Sequence, residues 1–278
     1  MESLQQHLSS MSLAENLTYI TRQIQSDPTN ADLRAAFVQV LCLAGHWTRA
    51  QTQLQSWLAL TPQAQPTVNV LQQAIAGELQ REAVLRGAMN PRLPGSAWAW
   101  SETLLAALQA DIAGDHAQGA VLRNTALEQA EASPGQIQHQ EPENEQTAFA
   151  WLMDGDSRFG PVCEVITSGH YYWVPFAAIQ EIEFQSPASV TDLIWRHCRL
   201  QLVDGSEQIC QIPARYPLQA DADERYLRAS VTEWQSLGND DSQFTGQGQK
   251  MWLSDSDEFA LLTLQQVSFL TAGTADVP

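Results

Sequence analysis

Lysine is almost missing from this 278-residue chain: Lys250 stands alone, and 14 basic residues face 32 acidic ones for a net charge of −18. The deficit is general, because residues 1–146 carry −7 and the remainder −11, so neither half hides a basic domain. A field of that sign repels phosphate backbones and anionic lipid. It sets aside nucleic acid and membrane surfaces as partners and favours a basic or amphipathic protein segment. Paired cysteines are also lacking: Cys42, Cys163, Cys198 and Cys210 are scattered with no CxxC spacing, which reads as buried thiols rather than a disulfide frame or a zinc site. No apolar run approaches the ~18 residues of a membrane span. The opening Met-Glu-Ser-Leu-Gln-Gln-His lacks the basic-then-apolar order of a secretory signal, so the expected compartment is the cytoplasm. Nor does the chain contain a P-loop, a dinucleotide fingerprint, a nucleophile elbow or an HExxH helix, and no cofactor is called for.

What is there divides the chain in two. From Ala31, apolar residues at helical spacing (Leu33, Phe37, Val40, Leu41, Ala44) run into Gly45, and a second apolar series (Ala50, Leu54, Trp57, Leu58) runs to Pro62. That is a helical hairpin. Pro28 and Pro62 lie 34 residues apart, the tetratricopeptide period, and Gly114-Asp-His116 echoes Gly45-His-Trp47 after 69 residues. Val68 to Arg86 reads as one long helix between the two hairpins, and five to seven helices are expected before about residue 133. Stacked hairpins leave a concave surface lined by their first helices, able to hold a partner's helix. On it would lie Asp32, Ala35, Gln39 and Cys42 from one hairpin, and Ser101, Leu104, Leu108 and Asp111 from the other. Trp47, Trp57, Trp98 and Trp100 are expected as core or capping residues.

The stretch 134–146 is polar, holds prolines and shows no apolar period, so it reads as an exposed linker. Beyond it come short β-type runs, with Asp204-Gly205 and Ser168-Gly169 as hairpin turns. The expected architecture is therefore α+β: tetratricopeptide-like helical hairpins over residues 1–133, then a small β-rich unit over 147–278, barrel or sandwich-like, with a frayed tail after Leu270.

Chemistry concentrates at Asp154-Gly-Asp-Ser-Arg158. Two carboxylates two residues apart can share a hard cation or do acid–base work, which allows a hydrolase or metal-dependent enzyme at this turn as an alternative. The oxygen ligands of a calcium loop do not follow, however, and a turn pairing Arg158 with a carboxylate is favoured. His170, His197, Cys198 and Cys210 have no metal-site spacing. In a strand, Tyr171 and Trp173 would share one face and Tyr172 the other.

The run Asp154-x-Asp156-Ser-Arg158-x-Gly160-Pro161, followed by Tyr172-Trp173-Val-Pro175, Asp192-Leu-Ile-Trp195, Ile212-Pro-x-Arg-Tyr-Pro217 and Gly246-x-Gly-Gln-Lys250, resembles the ImpE family, also called TagJ. These are accessory proteins of bacterial type VI secretion systems. The resemblance implies a non-enzymatic cytoplasmic adaptor without catalytic residues. Its implied partner is an N-terminal helix of the small sheath subunit, TssB, which it would connect to the disassembly ATPase ClpV.

Overall fold

A computed structural model describes residues 11–95, 98–140, 146–238 and 240–270. Helices come first: α1 (Leu13–Ser26), α2 (Ala31–Leu43), α3 (Trp47–Leu60), α4 (Gln65–Leu85), α5 (Ala99–Ile112) and α6 (His116–Gln129). Their ends follow from local chemistry. Ser12 opens α1 with a capping box, its hydroxyl accepting from the Glu15 amide while the Glu15 carboxylate accepts from the Ser12 amide, and Asn30 caps α2. The echo between Gly45 and Gly114 is geometric as well as sequential. Both have positive φ, and each starts the same pair of reverse bonds, Gly45 N–H to Cys42 O and His46 N–H to Leu41 O in one hairpin, Gly114 N–H to Asp111 O and Asp115 N–H to Ala110 O in the other.

Thirteen strands follow among the described residues. Eight form one antiparallel sheet in the order β2 (Gln146–Phe149), β1 (Gly135–His139), β13 (Leu264–Phe269), β6 (Ile179–Phe184), β7 (Trp195–Leu202), β8 (Glu207–Pro213), β4 (Val162–Thr167), β5 (His170–Pro175). A small sheet joins β12 (Glu258–Ala260), β11 (Met251–Ser254) and β3 (Leu152–Asp154), and β9 (Thr232–Leu237) pairs with β10 (Asp240–Gly248). The fold is α+β with its helices before an antiparallel sheet. Barrel closure is not found: β2 and β5 are different edges of the large sheet in the described ladder.

One other expectation is corrected. The stretch 134–146 contains β1, which pairs with both β13 and β2 and buries Ile137. Its alternation of Gln and Ile is a half-buried strand pattern, overlooked because only one residue in it is strongly apolar. A short helix, α7 (Glu224–Leu227), precedes β9.

Both faces of the large sheet are covered at the β4–β5 end, which explains why β4 is buried almost throughout. Val162, Ile166, Tyr171, Trp173 and Trp195 join the core of the helices, whereas Cys163, Val165, Cys198, Leu200 and Cys210 face Trp252 and Phe259 of the small sheet. Helix α4 comes close to β4 at Gly77, where a methyl group would stand 2.4 Å from the Ile166 side chain. Gln80 fixes the register by donating to Gly169 O and accepting from the Tyr171 amide. Trp47, Trp57 and Trp100 are buried.

Candidate functional site

The Asp154–Arg158 turn lies between the sheets and closes on itself. Asp154 accepts from the Asp156 amide at 2.9 Å, and Asp156 receives the Arg158 amide at 3.0 Å together with its guanidinium at 2.9 and 2.6 Å. Gly246 N–H supplies a further bond to Asp156 at 3.0 Å. Gly160, at φ +49°, returns the chain so that its carbonyl accepts from Asp154 N–H, and Pro161 leads into β4, whose Val162 pairs with Pro175. Asp156 is the pivot, using both of its oxygens within the turn and the β10 strand.

Asp154 uses its other oxygen differently. Lys250, the single lysine, places its Nζ against Asp154 Oδ2 and 2.8 Å from Glu164 Oε2, between the rings of Phe159 and Tyr216 at 4.8 and 4.7 Å. Glu164 in turn takes a two-pronged bond from Arg81 of α4 at 2.6 and 2.8 Å, and the Tyr171 hydroxyl at 2.6 Å. Trp173 N–H donates to that hydroxyl and Trp195 N–H donates to Glu78, one turn before Arg81. The helices and the sheet are thus joined by a sealed ionic cluster. Burial pushes Asp154 up to about 6 despite Lys250, whereas burial at Glu164 is outweighed by Arg81 and Lys250, which hold it at about 2. Burial opposes the charge on Lys250, but its two carboxylates outweigh that and raise its pKa.

Chemically, this arrangement binds its own chain. Every carboxylate in it is inaccessible and engaged, so the hydrolase or metal-site alternative at the turn finds neither an open coordination position nor a substrate approach. Among the described residues no group of three or more His, Cys, Asp or Glu is placed to hold a metal ion. Sequence reasoning missed Glu78 and Arg81 of α4 as partners of this cluster. A charge inside the apolar run Val-Cys-Glu164-Val-Ile was the available signal.

The residues expected to line a helix-binding face are dispersed. Cys42, Ser101, Leu104 and Leu108 are interior, because α2 is capped by the Arg215 guanidinium on Cys42 O and Leu43 O, and because α5 turns its apolar face into the helical core. Asp111 is ion-paired with Arg123 and lies 3.1 Å from His116 Nδ1. Asp32 is exposed, and Ala35, Gln39 and Asp111 reach solvent partly.

Accessible concavity lies elsewhere. A cleft of about 220 Å³ over Trp47, Arg81 and Arg215 adjoins a groove of about 510 Å³ between α1 and the segment after Pro217. Its leucines are Leu13, Leu17, Leu218 and Leu227, and its carboxylates are Glu82, Asp221 and Glu224. Leu218 rests on Gly45, where a methyl group would stand 2.6 Å from it.

Comparison with known proteins places this geometry. Residues 146–268 match the model of the ImpE protein family. The chain is 33% identical over 258 residues to the type VI secretion system accessory component TagJ of Pseudomonas aeruginosa, an alignment spanning 92% of this chain and 87% of that one. The crystal structure of protein VPA1032 from Vibrio parahaemolyticus superposes with a TM-score of 0.86 at 22% identity, covering 96% of this chain and 97% of that one, which shows a shared fold. On that identity and coverage, the chain belongs to the ImpE (TagJ) family of type VI secretion accessory proteins.

Proposed function

We propose that this protein is a cytoplasmic adaptor of a bacterial type VI secretion system, which receives the N-terminal helix of the small sheath subunit, TssB, in the groove beside α1. By holding the sheath it brings that assembly to the ATPase ClpV. In this reading the two hairpins with matching turns are a tetratricopeptide-like scaffold behind the groove, and the ionic cluster keeps that scaffold in register with the sheet.

The observation that carries the proposal is the groove itself: a leucine-lined trough with a carboxylate rim on a chain of charge −18. Apolar anchors of an amphipathic helix would bury against Leu17, Leu218 and Leu227, while Glu82 and Asp221 favour basic flanks and speed the encounter. The groove also replaces the face that the repeat pattern suggested, whose inner residues are occupied by the protein's own packing.

Calorimetric titration of the synthetic sheath helix into the whole protein tests this. Heat of binding is expected, and Leu17→Glu should weaken the affinity roughly tenfold or more, about 1.4 kcal/mol, measured where thermal melting shows the variant still folded. Absence of heat at ~100 μM would remove the adaptor reading. Undiminished binding by Leu17→Glu would remove only its assignment to this groove.

A further inference from the structure

The chain's only ε-amine is enclosed with two carboxylates in a way that exceeds what an ion pair needs. Asp154 ends β3 and pairs with Trp252 of β11, and Lys250 stands immediately before β11, two residues ahead of that pair. Both side chains are almost fully buried, and the two aromatic rings flanking Nζ exclude water from it. Glu164, the second carboxylate on the same nitrogen, is anchored from the far side by Arg81 and Tyr171, so it cannot swing away. Reacting groups held in contact, in a dry site, on rigid strands, meet the requirement for an intramolecular condensation.

We propose that Lys250 and Asp154 condense into an isopeptide bond, with Glu164 as the proton carrier, and that the resulting amide staples β3 to the chain entering β11. The balance is closed without any co-reactant. Lys250 passes one ammonium proton to Asp154, giving a neutral amine and a neutral carboxylic acid. The nitrogen lone pair attacks Cγ of Asp154, forming the C–N bond. Glu164 accepts a proton from the nitrogen and returns it to the departing hydroxyl, and the Cγ–O bond breaks to release one water.

The electrostatics divide the two carboxyls as this chemistry requires. Burial makes Asp154 the readily protonated one, at about 6, while Arg81 and Lys250 keep Glu164 ionised down to about 2. The product is also better matched: with the lysine and aspartate charges gone, Arg81 and Glu164 remain as one bidentate pair, leaving no buried cation shared between two anions.

Intact-mass measurement of the full-length denatured protein, after incubation near pH 6 and near pH 8, decides the matter. The wild type is expected to be one water lighter than its sequence, with a branched proteolytic fragment joining the peptides of residues 154 and 250, and resistance to trypsin after Lys250. Lys250→Arg keeps the cation without a nucleophilic amine and should show the full mass. A wild-type chain at full mass overturns the proposal. So does loss of water confined to a succinimide at Asp154-Gly155, recognised by cleavage with hydroxylamine and by the lack of a joined fragment. Linkage at an undiminished rate in Glu164→Gln would overturn the role given to Glu164.

Discussion

The two faces of the large sheet are covered by different chemistry at similar depth. Towards the helices, β4 and β7 present Glu164 and Trp195, which meet Arg81 and Glu78 of α4 through directed bonds, while Tyr171 and Trp173 of β5 hold Glu164 in place. Towards the small sheet the same strands present Cys163, Val165, Cys198 and Leu200 in one apolar layer with Phe176, Phe184 and Trp252, whose rings touch one another; the one buried charge on this face of β7, Arg196, stacks on Phe184 and donates to the carbonyls of Leu261, Leu262 and Leu264 rather than to a carboxylate. An apolar layer accepts several arrangements of similar energy. A bidentate arginine accepts one, because a shift leaves a charge buried without its partner. The difference teaches that docking of helices on this sheet is specified by paired charges, and that cohesion between the two sheets is supplied mainly by apolar burial.

Removing one partner on the charged face is the most damaging way to break the contrast. Glu164→Gln keeps the shape and deletes the charge, leaving Arg81 with a neutral acceptor and a desolvated cation. A loss of about 3–5 kcal/mol is expected in urea unfolding. Replacing Arg81 and Glu164 together with Met and Leu should restore a large part of it, since the penalty lies in the orphaned charge rather than in a missing attraction. A double variant as unstable as the single one would show that the cluster contributes net energy and not only specificity.

Acid sharpens the same contrast by titration. Glu164 has its pKa lowered in the folded protein from the ordinary 4.5 to about 2, so the stability it contributes is complete above about pH 4.5 and is lost as pH falls through about 2. A difference of that size corresponds to roughly 3 kcal/mol. Unfolding measured from about pH 5 downwards should therefore show a steep decline in the wild type and a shallower one in Glu164→Gln. Parallel curves would mean that the carboxylate is not held by Arg81 in solution.

Much of this layout was legible in the chain, and the missed parts share a cause. Val162–Thr167 and Ile179–Phe184 announce themselves as strands because both are rich in β-branched residues between turn signals, and Gly45 and Gly114 mark helix ends because only glycine takes the left-handed turn there cheaply. Strand β1 was hidden because its neighbours β2 and β13, not its own composition, pull Gln136 and Gln138 into a sheet. The motif pointed correctly to Asp154, Asp156 and Arg158 as one unit, since they are local. Its partners were invisible because Arg81 and Glu164 are separated by 83 residues and Lys250 and Asp154 by 96, and spacing carries no information at such range. The groove face failed for a different reason: repeat logic assigns the inner helix surface to solvent, whereas here Arg215 and the core of the helices claim Cys42 and Leu104.

The smallest expected effect lies on the apolar face. Ile182 of β6 is fully buried among residues that contact the small sheet, and Ile182→Val removes one methyl group without altering charge or hydrogen bonding. About 1 kcal/mol should be lost, with the ionic cluster and the register of α4 on β4 unaffected. Glu164→Gln changes no heavy-atom count at all, yet is expected to cost several times as much. If the methyl deletion proved as costly as the charge deletion, the two faces would be equally exacting, and the division between specification by charge and cohesion by area would not hold.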